Sequence, residues 1–499
     1  MAQNDTKKPD STDWNWLLLL ISLSLLSRLV LISWTPLNND EILYAEAIQS
    51  QISNPSLAIH FLGEVVTWKP PLFFLVYAPF VAFLQHFVSG LEATYRLPTV
   101  LFGVVNVLLV YWLIKNLQES RNVAFFTAFI YSLVFLTVYV DSTVLIDTFN
   151  LTLILGALCL YTEESMGRQR FLFAGMLTAL AFFTKLWISA LIPVLALVWA
   201  YSQQQKHLSD RYFLFSLLSL PTAALAYFAW TSGTVAQDVT PFQVLFDRVF
   251  LFGLSYNQIS GSFYGFFMNV NLWLGVGLFG FFKFWKEKPF MTAWAVLSLI
   301  PFIAGYFMPW YSLPGMIPLA YFSCLFLVRY EKIEKTDTFF FITLTLLILA
   351  GYALGILLSE QPTWETYSPE KEAGSMLAFK DNVAIIGEWK PSIAGYKFLL
   401  ERRYEGKYRD FGWVILDSSS NISLQAIADN YQTREYNFNG NIMCVFMNSS
   451  SINCDYRRIS NVTKPEYVAI AGFENQTLSG FQLLYSSPGI RIFKRTADK

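Results

Sequence analysis

Histidine and charged side chains are scarce in this 499-residue sequence, and each scarcity argues against a class of protein. The three histidines are His60, His86 and His207, too few for a histidine-rich metal site and a poor basis for a Ser-His-Asp triad. Charged residues make up 14% of the chain, whereas soluble domains average about 25%. The formal net charge of −1 provides no basic field for nucleic acid. Acid–base chemistry is therefore expected from carboxylates, with lysine or arginine available for anions.

Apolar residues are abundant instead, at 54% of the chain, with a mean hydropathy of +0.41. They form repeated runs of roughly 18 to 20 residues, the length that crosses a bilayer as a helix. The sequence therefore predicts an all-α polytopic membrane domain over residues 15–358. The candidate spans are 15–34, 97–114, 122–140, 146–162, 171–185, 187–203, 212–230, 265–284, 289–306, 313–329 and 338–358. A further apolar run covers 72–88.

Lysine and arginine in the short loops predict the orientation, because they favour the cytoplasmic side. The loops rich in lysine and arginine all fall on the cytoplasmic side only if residues 72–88 do not cross the membrane. Pro70, Pro71 and Pro79 also suit a helix that lies in the outer interface. We therefore expect a multi-pass protein of the cell membrane with a cytoplasmic tail over 1–14. The first outer loop would cover 35–96, and the C-terminal domain would lie outside the cytoplasm.

Residues 359–499 are more polar and long enough for one soluble domain. Short β-branched and aromatic runs at 382–387, 412–417 and 441–447 predict strands of an α+β domain. Four glycosylation sequons support an extracytoplasmic location: Asn421, Asn448, Asn461 and Asn475. Cys444 and Cys454 could form a disulfide in an oxidising compartment, although two unpaired thiols remain an alternative. Cys159 and Cys324 fall within apolar runs and are interpreted as packing residues.

Two adjacent carboxylates, Asp40 and Glu41, follow the first apolar run at the predicted membrane edge. Charges there are costly unless they face water, a partner or a ligand. They are candidates for acid–base chemistry. The alternative is a helix start, because Asn38, Asn39 and Asp40 are good N-cap residues and Glu41 suits a first turn. The two interpretations are compatible.

A second group of candidates is expected on the same outer side. Asp147 begins a predicted span, where it is either a second site carboxylate or a helix cap. Lys69 and Lys185 are predicted on the outer side, although lysine generally favours the cytoplasmic side. This placement suggests an anionic ligand such as a phosphate. The alternative is that they are snorkelling lysines, which are common at the ends of spans. The proline-rich segment around Tyr311 is either a kinked cavity lining or a tight hairpin.

Several short motifs occur in an order that resembles one known family. They are Asp40-Glu41-x-x-Tyr44-Ala45-Glu46, His60-Phe61-Leu62-Gly63, Lys69-Pro70-Pro71-Leu72, Tyr95-Arg96-Leu97-Pro98, Leu145-Ile146-Asp147, Leu180 to Lys185, and Tyr311-x-Leu313-Pro314-x-x-x-Pro318. The set resembles the dolichyl-phosphate-mannose protein mannosyltransferase superfamily, and within it the branch of the aminoarabinose transferases that modify lipid A. The resemblance covers about residues 15 to 330. It departs at Thr148, where the family usually has proline, and at Leu186, where it usually has glycine.

The resemblance implies a GT-C type membrane domain with about 11–13 transmembrane helices plus interfacial helices. It implies an inverting transfer of a monosaccharide from a polyprenyl- or dolichyl-phosphate donor to an acceptor hydroxyl, without an essential metal or other cofactor. Asp40 would activate the acceptor, Glu41 would assist it, and Asp147 would be the second acid. Carried over as substrate-binding positions are Tyr44, Glu46, Lys69, Arg96, Lys185 and Tyr311.

A glycan, a glycoprotein or a lipid could serve as the acceptor. Two other functions remain open from the sequence. An oligosaccharyltransferase would be expected to carry a Trp-Trp-Asp-type motif, whereas Trp389 and Trp413 lie far apart. A transporter or non-catalytic membrane scaffold would be expected to show internal repeats and mid-membrane charges.

Overall fold

The computed structural model of the chain divides into two compact units. The first comprises residues 1–34, 57–59 and 65–361, and the second comprises residues 35–56, 60–64 and 362–499. Most of the segment 35–64 thus belongs to the unit that contains the C-terminal region. The described residues are 11–32, 35–61, 64–66, 69–186, 188–203, 207–234, 270, 272–299, 309–330, 350, 364–387, 390–405, 411–415, 425, 458–459, 465–472, 477–487 and 489–496.

The helices are numbered in chain order. They are α1 (Ser11–Leu29), α2 (Asn39–Ser53), α3 (Leu72–Leu84), α4 (Leu91–Asn116), α5 (Arg121–Leu133), α6 (Phe135–Val140), α7 (Ile146–Thr162), α8 (Gln169–Phe182), α9 (Leu191–Ser202), α10 (Arg211–Thr234), α11 (Leu272–Phe284), α12 (Pro289–Leu297), α13 (Met316–Tyr330), α14 (Trp364–Leu377) and α15 (Pro391–Glu405). Short 3-10 helices cover Ile188–Ala190 and Pro309–Gly315.

The strands follow the same order. They are β1 (Ile59–Phe61), β2 (Glu64–Val66), β3 (Val383–Gly387), β4 (Phe411–Ile415), β5 (Arg458–Ile459), β6 (Tyr467–Ala471), β7 (Phe481–Ser487) and β8 (Ile490–Arg495).

The first unit is mainly helical, and its helices match most of the apolar runs in the sequence. By length and composition, three described helical stretches are long and apolar enough to cross a membrane: Leu91–Asn116, Arg211–Trp230 and Tyr311–Val328. Six more apolar helices among the described residues are shorter, including Ile146–Thr162 and Leu72–Leu84. The count of 11–13 spans stays a prediction, and the run 338–358 lies almost wholly outside the described residues.

Two runs differ in detail from the sequence expectation. The run 122–140 is not one helix, because Val134 has an extended backbone that separates α5 from α6. The run 72–88 forms a helix of 13 residues with Pro79 inside it. At 1.5 Å per residue such a helix rises about 20 Å, which is less than the roughly 30 Å hydrocarbon core. Other predicted spans, among them Gln169–Phe182 and Trp273–Phe284, are equally short in the described residues, so the non-crossing of 72–88 stays a prediction.

Close helix packing in the first unit depends on glycine where α11 meets α13. A Cβ added at Gly280 would lie 2.0 Å from the carbonyl oxygen of Phe322. Only a residue without a side chain allows the two backbones to approach so closely. Gly275, on the same helix, has no atom within 4 Å of its hypothetical Cβ.

The second unit contains a six-stranded sheet in the order β5-β4-β3-β6-β8-β7. Its central strand β3 is parallel to both β4 and β6, whereas the remaining pairs are antiparallel. All five residues of β3 are buried, as expected for a strand covered on both faces. The predicted strands at 382–387 and 412–417 are confirmed as β3 and β4. The predicted strand at 441–447 lies outside the described residues.

Helix α2 belongs to this second unit and packs along α15. The two helices approach closely at Gly395, where an added Cβ would lie 2.5 Å from Cγ1 of Ile42. The backbone N–H of Leu37 donates to the Tyr396 hydroxyl at 2.7 Å. The Ser392 hydroxyl donates to Oδ1 of Asn39, also at 2.7 Å. The start of α2 is therefore held against the first turns of α15.

Candidate functional site

The capping of α2 assigns different local roles to Asp40 and Glu41. Asn38 is the N-cap, and its Oδ1 accepts hydrogen bonds from the backbone N–H groups of Asp40 and Glu41 at 3.0 Å each. Oε2 of Glu41 accepts in return from the backbone N–H of Asn38 at 3.1 Å. This reciprocal pair is a capping box. Glu41 is thus a buried structural acid, whereas Asp40 is only half-buried and is not the cap.

The next two candidates lie on the buried surface of the same helix. Tyr44 is 7% exposed, and Glu46 is fully buried. Burial lowers the pKa of the nearby Arg402 guanidinium in α15, and the negative charge of Glu46 opposes that shift. An electrostatic partner for Glu46 is therefore present within the second unit itself.

Three predicted site residues come together in the first unit, from elements far apart in sequence. Asp147 lies in the first turn of α7, Lys185 in the turn that follows α8, and Tyr311 in the 3-10 helix before α13. The Lys185 ammonium donates to Oδ1 of Asp147 and lies 4.0 Å from the centre of the Tyr311 ring. All three residues are buried, so the ion pair is largely removed from water. We call Asp147, Lys185 and Tyr311 the lysine cluster.

The start of α7 does not bear out the helix-cap alternative for Asp147, whereas its role as a site carboxylate stays a prediction. The N-cap of α7 is Leu145, and no side chain caps that helix. The carboxylate of Asp147 is used instead to fix a cation. An ammonium held between a carboxylate and an aromatic face has a defined position and reduced hydration. Such a group is suited to bind an anionic oxygen, for example that of a phosphate.

Two further predicted cations occupy different surroundings. Lys69 is half-buried and immediately precedes the buried Pro70 and Pro71 at the start of α3. The backbone N–H of Leu72 donates to the carbonyl of Phe183 at 3.2 Å, which ties the start of α3 to the turn that carries Lys185. Arg96 is buried in α4 and donates to the carbonyl of Ile32 at 2.9 Å.

Sequence reasoning missed the partner of a third carboxylate, Asp141. Arg28 of α1 forms an ion pair with it at 2.7 Å, and both side chains are fully buried. The signal was an isolated arginine inside the first apolar run, which is costly without a partner. The sequence marks that arginine as requiring an acid, although it does not say which one.

Other predicted features are tested only in part. Cys159 and Cys324 are free and buried, which confirms their interpretation as packing residues. The predicted disulfide of Cys444 with Cys454 and the four sequons lie outside the described residues. Within the part of the chain that the structure describes, no three histidine, cysteine or acidic residues gather in a way that could hold a metal ion.

Comparison with known proteins agrees with the resemblance drawn from the motifs. Residues 69–230 match the family model described as dolichyl-phosphate-mannose-protein mannosyltransferase. This segment contains Lys69, Arg96, Asp147 and Lys185. It does not contain Asp40 or Tyr311.

Relatives of this chain include arabinosyl transferases whose names specify an undecaprenyl phosphate-linked aminoarabinose. The chain is 23% identical over 371 residues to the undecaprenyl phosphate-alpha-4-amino-4-deoxy-L-arabinose arabinosyl transferase 2 of Proteus mirabilis, covering 69% of this chain and 66% of that protein. It is 25% identical over 312 residues to the corresponding transferase of Edwardsiella ictaluri, covering 58% and 54% respectively. The chain thus spans between about half and two thirds of the length of these relatives.

The fold is similar to that of solved membrane enzymes. The crystal structure of ArnT from Cupriavidus metallidurans bound to undecaprenyl phosphate matches with a TM-score of 0.62 at 11% identity, covering 97% of this chain and 98% of that one. At this identity the likeness concerns the fold alone. The motifs, the match of residues 69–230 and the fold agree with one another, and together they make the chain similar to the GT-C membrane proteins that include the protein mannosyltransferases and the aminoarabinose transferases.

Proposed function

We propose that this chain is an integral-membrane glycosyltransferase that moves one monosaccharide from a polyprenyl-phosphate donor to an acceptor hydroxyl. The match of residues 69–230 to the mannosyltransferase family model and the names of the arabinosyl transferase relatives support this activity. The transfer takes place on the outer face of the cell membrane. The alternation of lysine and arginine between successive loops predicts that Asp40 and the lysine cluster lie on that face.

The proposed reaction is an inverting substitution at the anomeric carbon of the donor sugar. The acceptor oxygen forms the new bond from the face opposite the phosphate. The bond between the anomeric carbon and the phosphate oxygen breaks, and the lipid phosphate leaves with the electron pair. The proton of the acceptor hydroxyl passes to the Asp40 carboxylate as general base. The departing phosphate is an anion that needs stabilisation by cations and no protonation by a general acid.

The observation that carries the proposal is the lysine cluster. A carboxylate and an aromatic ring hold one ammonium in a buried position, and two of the three residues lie inside the segment that matches the family model. Fixed cations act most strongly on developing charge where water is excluded. We assign Lys185 to the donor phosphate, with Lys69 and Arg96 as further cations of the donor site. Asp147 holds Lys185 in place.

Asp40 is the candidate base because of its place in α2. Its neighbour Glu41 is committed to the capping box, and Glu46 is fully buried. Asp40 is the half-buried acid of this motif, and the first turn of a helix keeps its backbone in a fixed position. We infer a glycan or glycoprotein acceptor, because the dense sequons of residues 421–477 indicate a host that glycosylates its outer proteins.

The test is transfer by the purified protein in liposomes. Radiolabelled sugars on undecaprenyl phosphate and dolichyl phosphate are supplied with glycan and glycopeptide acceptors, and the labelled product is identified by mass spectrometry. Asp40→Asn is expected to lower turnover by about 100-fold or more, the scale of a lost general base. Asp381→Asn, an equivalent change at an exposed turn of the second unit, is the matched control.

Two outcomes would contradict different parts of the proposal. Wild-type turnover by Asp40→Asn would remove Asp40 from the base role. Failure of the wild-type protein to use any polyprenyl-phosphate sugar would refute the activity itself. Treatment with EDTA is expected to leave the rate unchanged, because the proposed leaving group is stabilised by side-chain cations.

A further inference from the structure

A fully buried ion pair lies next to the lysine cluster in the first unit. Nη2 and Nε of Arg28 donate to Oδ2 of Asp141 at 2.7 and 3.1 Å. Nη1 of the same guanidinium donates to the Ser24 hydroxyl at 2.8 Å and to the Ser132 carbonyl at 3.1 Å. A single side chain of α1 thereby binds the last turn of α5 and the residue that ends α6.

The second oxygen of Asp141 extends this network to the first turn of α7. The Thr148 hydroxyl donates to Oδ1 of Asp141 at 2.9 Å, and the Asn106 side-chain amide donates to the Thr148 carbonyl at 3.0 Å. Thr148 is fully buried and is adjacent in sequence to Asp147. Since α7 has no side-chain cap, these bonds fix its start in place of one.

A glycine makes room for the ion pair. The pair crosses α4 at Gly103, where an added Cβ would lie 2.7 Å from Cβ of Asp141 and 2.8 Å from Nε of Arg28. Both distances are shorter than carbon and nitrogen atoms tolerate. Residue 103 therefore has to lack a side chain if Arg28 is to reach Asp141.

The energetics of such pairs suggest a role beyond stability. Two buried charges lose much of their hydration, and well-packed apolar residues in their place often give an equally stable protein. What an apolar pair does not supply is a directional acceptor for the Thr148 hydroxyl. The distinct consequence of this network is the orientation of the first turn of α7.

We propose that four residues of the first unit are positioning residues for Asp147: Arg28, Gly103, Asp141 and Thr148. They fix the turn that carries Asp147, so that its carboxylate meets the Lys185 ammonium. The effect on transfer rests on the proposed function, whereas the effect on the contact of Asp147 with Lys185 does not.

The first test replaces the linking hydroxyl. Thr148→Val retains the size and branching of the side chain but removes the donor to Asp141. We expect kcat for sugar transfer to fall by about 10- to 100-fold, the cost of a displaced catalytic group, with a smaller change in KM for the lipid donor. Thr148→Ser keeps the hydroxyl and is expected to restore most of the loss. Thr152→Val is the matched control, because its hydroxyl also lies in α7 but donates only to the Thr148 carbonyl.

The second test requires no substrate. The Lys185 ammonium is buried and engaged by the Asp147 carboxylate, so Lys185 should react faster with an acylating reagent once Asp147 is displaced. Acylation of Lys185 by acetic anhydride is followed by mass spectrometry. We expect Thr148→Val to raise the rate severalfold towards that of Asp147→Asn, while Thr148→Ser and Thr152→Val match wild type. An unchanged rate in Thr148→Val, or in Asp147→Asn itself, would overturn the proposal.

An all-apolar variant separates positioning from folding. Arg28→Met, Asp141→Leu and Thr148→Val together remove both charges and the linking hydroxyl, so neither charge is left buried without its partner. If the network served stability alone, this folded variant would transfer sugar at the wild-type rate. Its Lys185 would also be acylated at the wild-type rate, and the proposal would be wrong. A folded variant with slow transfer and fast acylation supports it. If acylation responds while the wild-type protein transfers no sugar, the proposed function fails and the positioning role stands.

Discussion

The ammonium of Lys185 lies 4.0 Å from the centre of the Tyr311 ring. The two residues are separated by more than a hundred positions in the sequence, and both are buried in the first unit. A cation over an aromatic face is held by the ring quadrupole without losing its capacity to bind an anion. The ring therefore fixes the position of the cation that we assign to the donor phosphate.

This relationship predicts different effects for two changes at Tyr311. Tyr311→Leu removes the aromatic face and is expected to raise KM for the lipid donor by about 2- to 30-fold, which corresponds to the usual 0.5–2 kcal/mol of a cation–π contact. Tyr311→Phe keeps the face and is expected to stay near wild type. Donor titrations of both purified variants give the measurement. Equal KM values for Leu and Phe would show that the ring does not hold the cation.

The capping box predicts that Glu41 and Asp40 respond differently to loss of charge. Glutamine completes a capping box as glutamate does, so Glu41→Gln should retain turnover within about threefold of wild type. Asn38→Ala removes the cap and should destabilise the second unit by about 1–2 kcal/mol. Turnover and thermal unfolding of the two variants are compared. A loss of activity in Glu41→Gln as large as that in Asp40→Asn would give Glu41 a chemical role instead.

The contact of α11 with α13 predicts opposite effects for two glycines of one helix. Gly280→Ala drives a methyl group against the Phe322 carbonyl and should cost more than about 2 kcal/mol through forced backbone separation. Gly275→Ala meets nothing within 4 Å and should be neutral or stabilising by up to about 1 kcal/mol, since alanine favours the helix. Thermal unfolding in detergent measures both. Equal unfolding temperatures would contradict the close approach of the two helices.

Orientation remains a prediction of the loop charges. If the C-terminal domain lies outside the cytoplasm, Asn448 and Asn461 are accessible to the host glycosylation machinery. Their glycans should be removed by a glycosidase added to intact cells, with a shift in mobility. An Asn448→Gln/Asn461→Gln variant controls for the site of modification. Labelling of this domain only from the cytoplasmic side would reverse the topology.

The sequence by itself determined the apolar helices, the strands β3 and β4, and most of the candidate side chains. Period and composition are local properties, and a helix of apolar residues has few alternatives in a membrane. The motif around Asp40 and the position of Asp147 at the start of a helix were likewise visible as residue types in order.

Only the tertiary structure decided which partner each charge takes. Arg28 meets Asp141 and Lys185 meets Asp147 across long stretches of chain, because helix packing and not sequence distance sets which side chains are neighbours. The same holds for the assignment of α2 to the unit of the C-terminal sheet, within which Ile42 lies close against Gly395. The sequence shows which residues are charged, whereas helix packing determines which of them form ion pairs. A buried charge is costly, and this cost is offset by the opposite charge that the fold brings close to it.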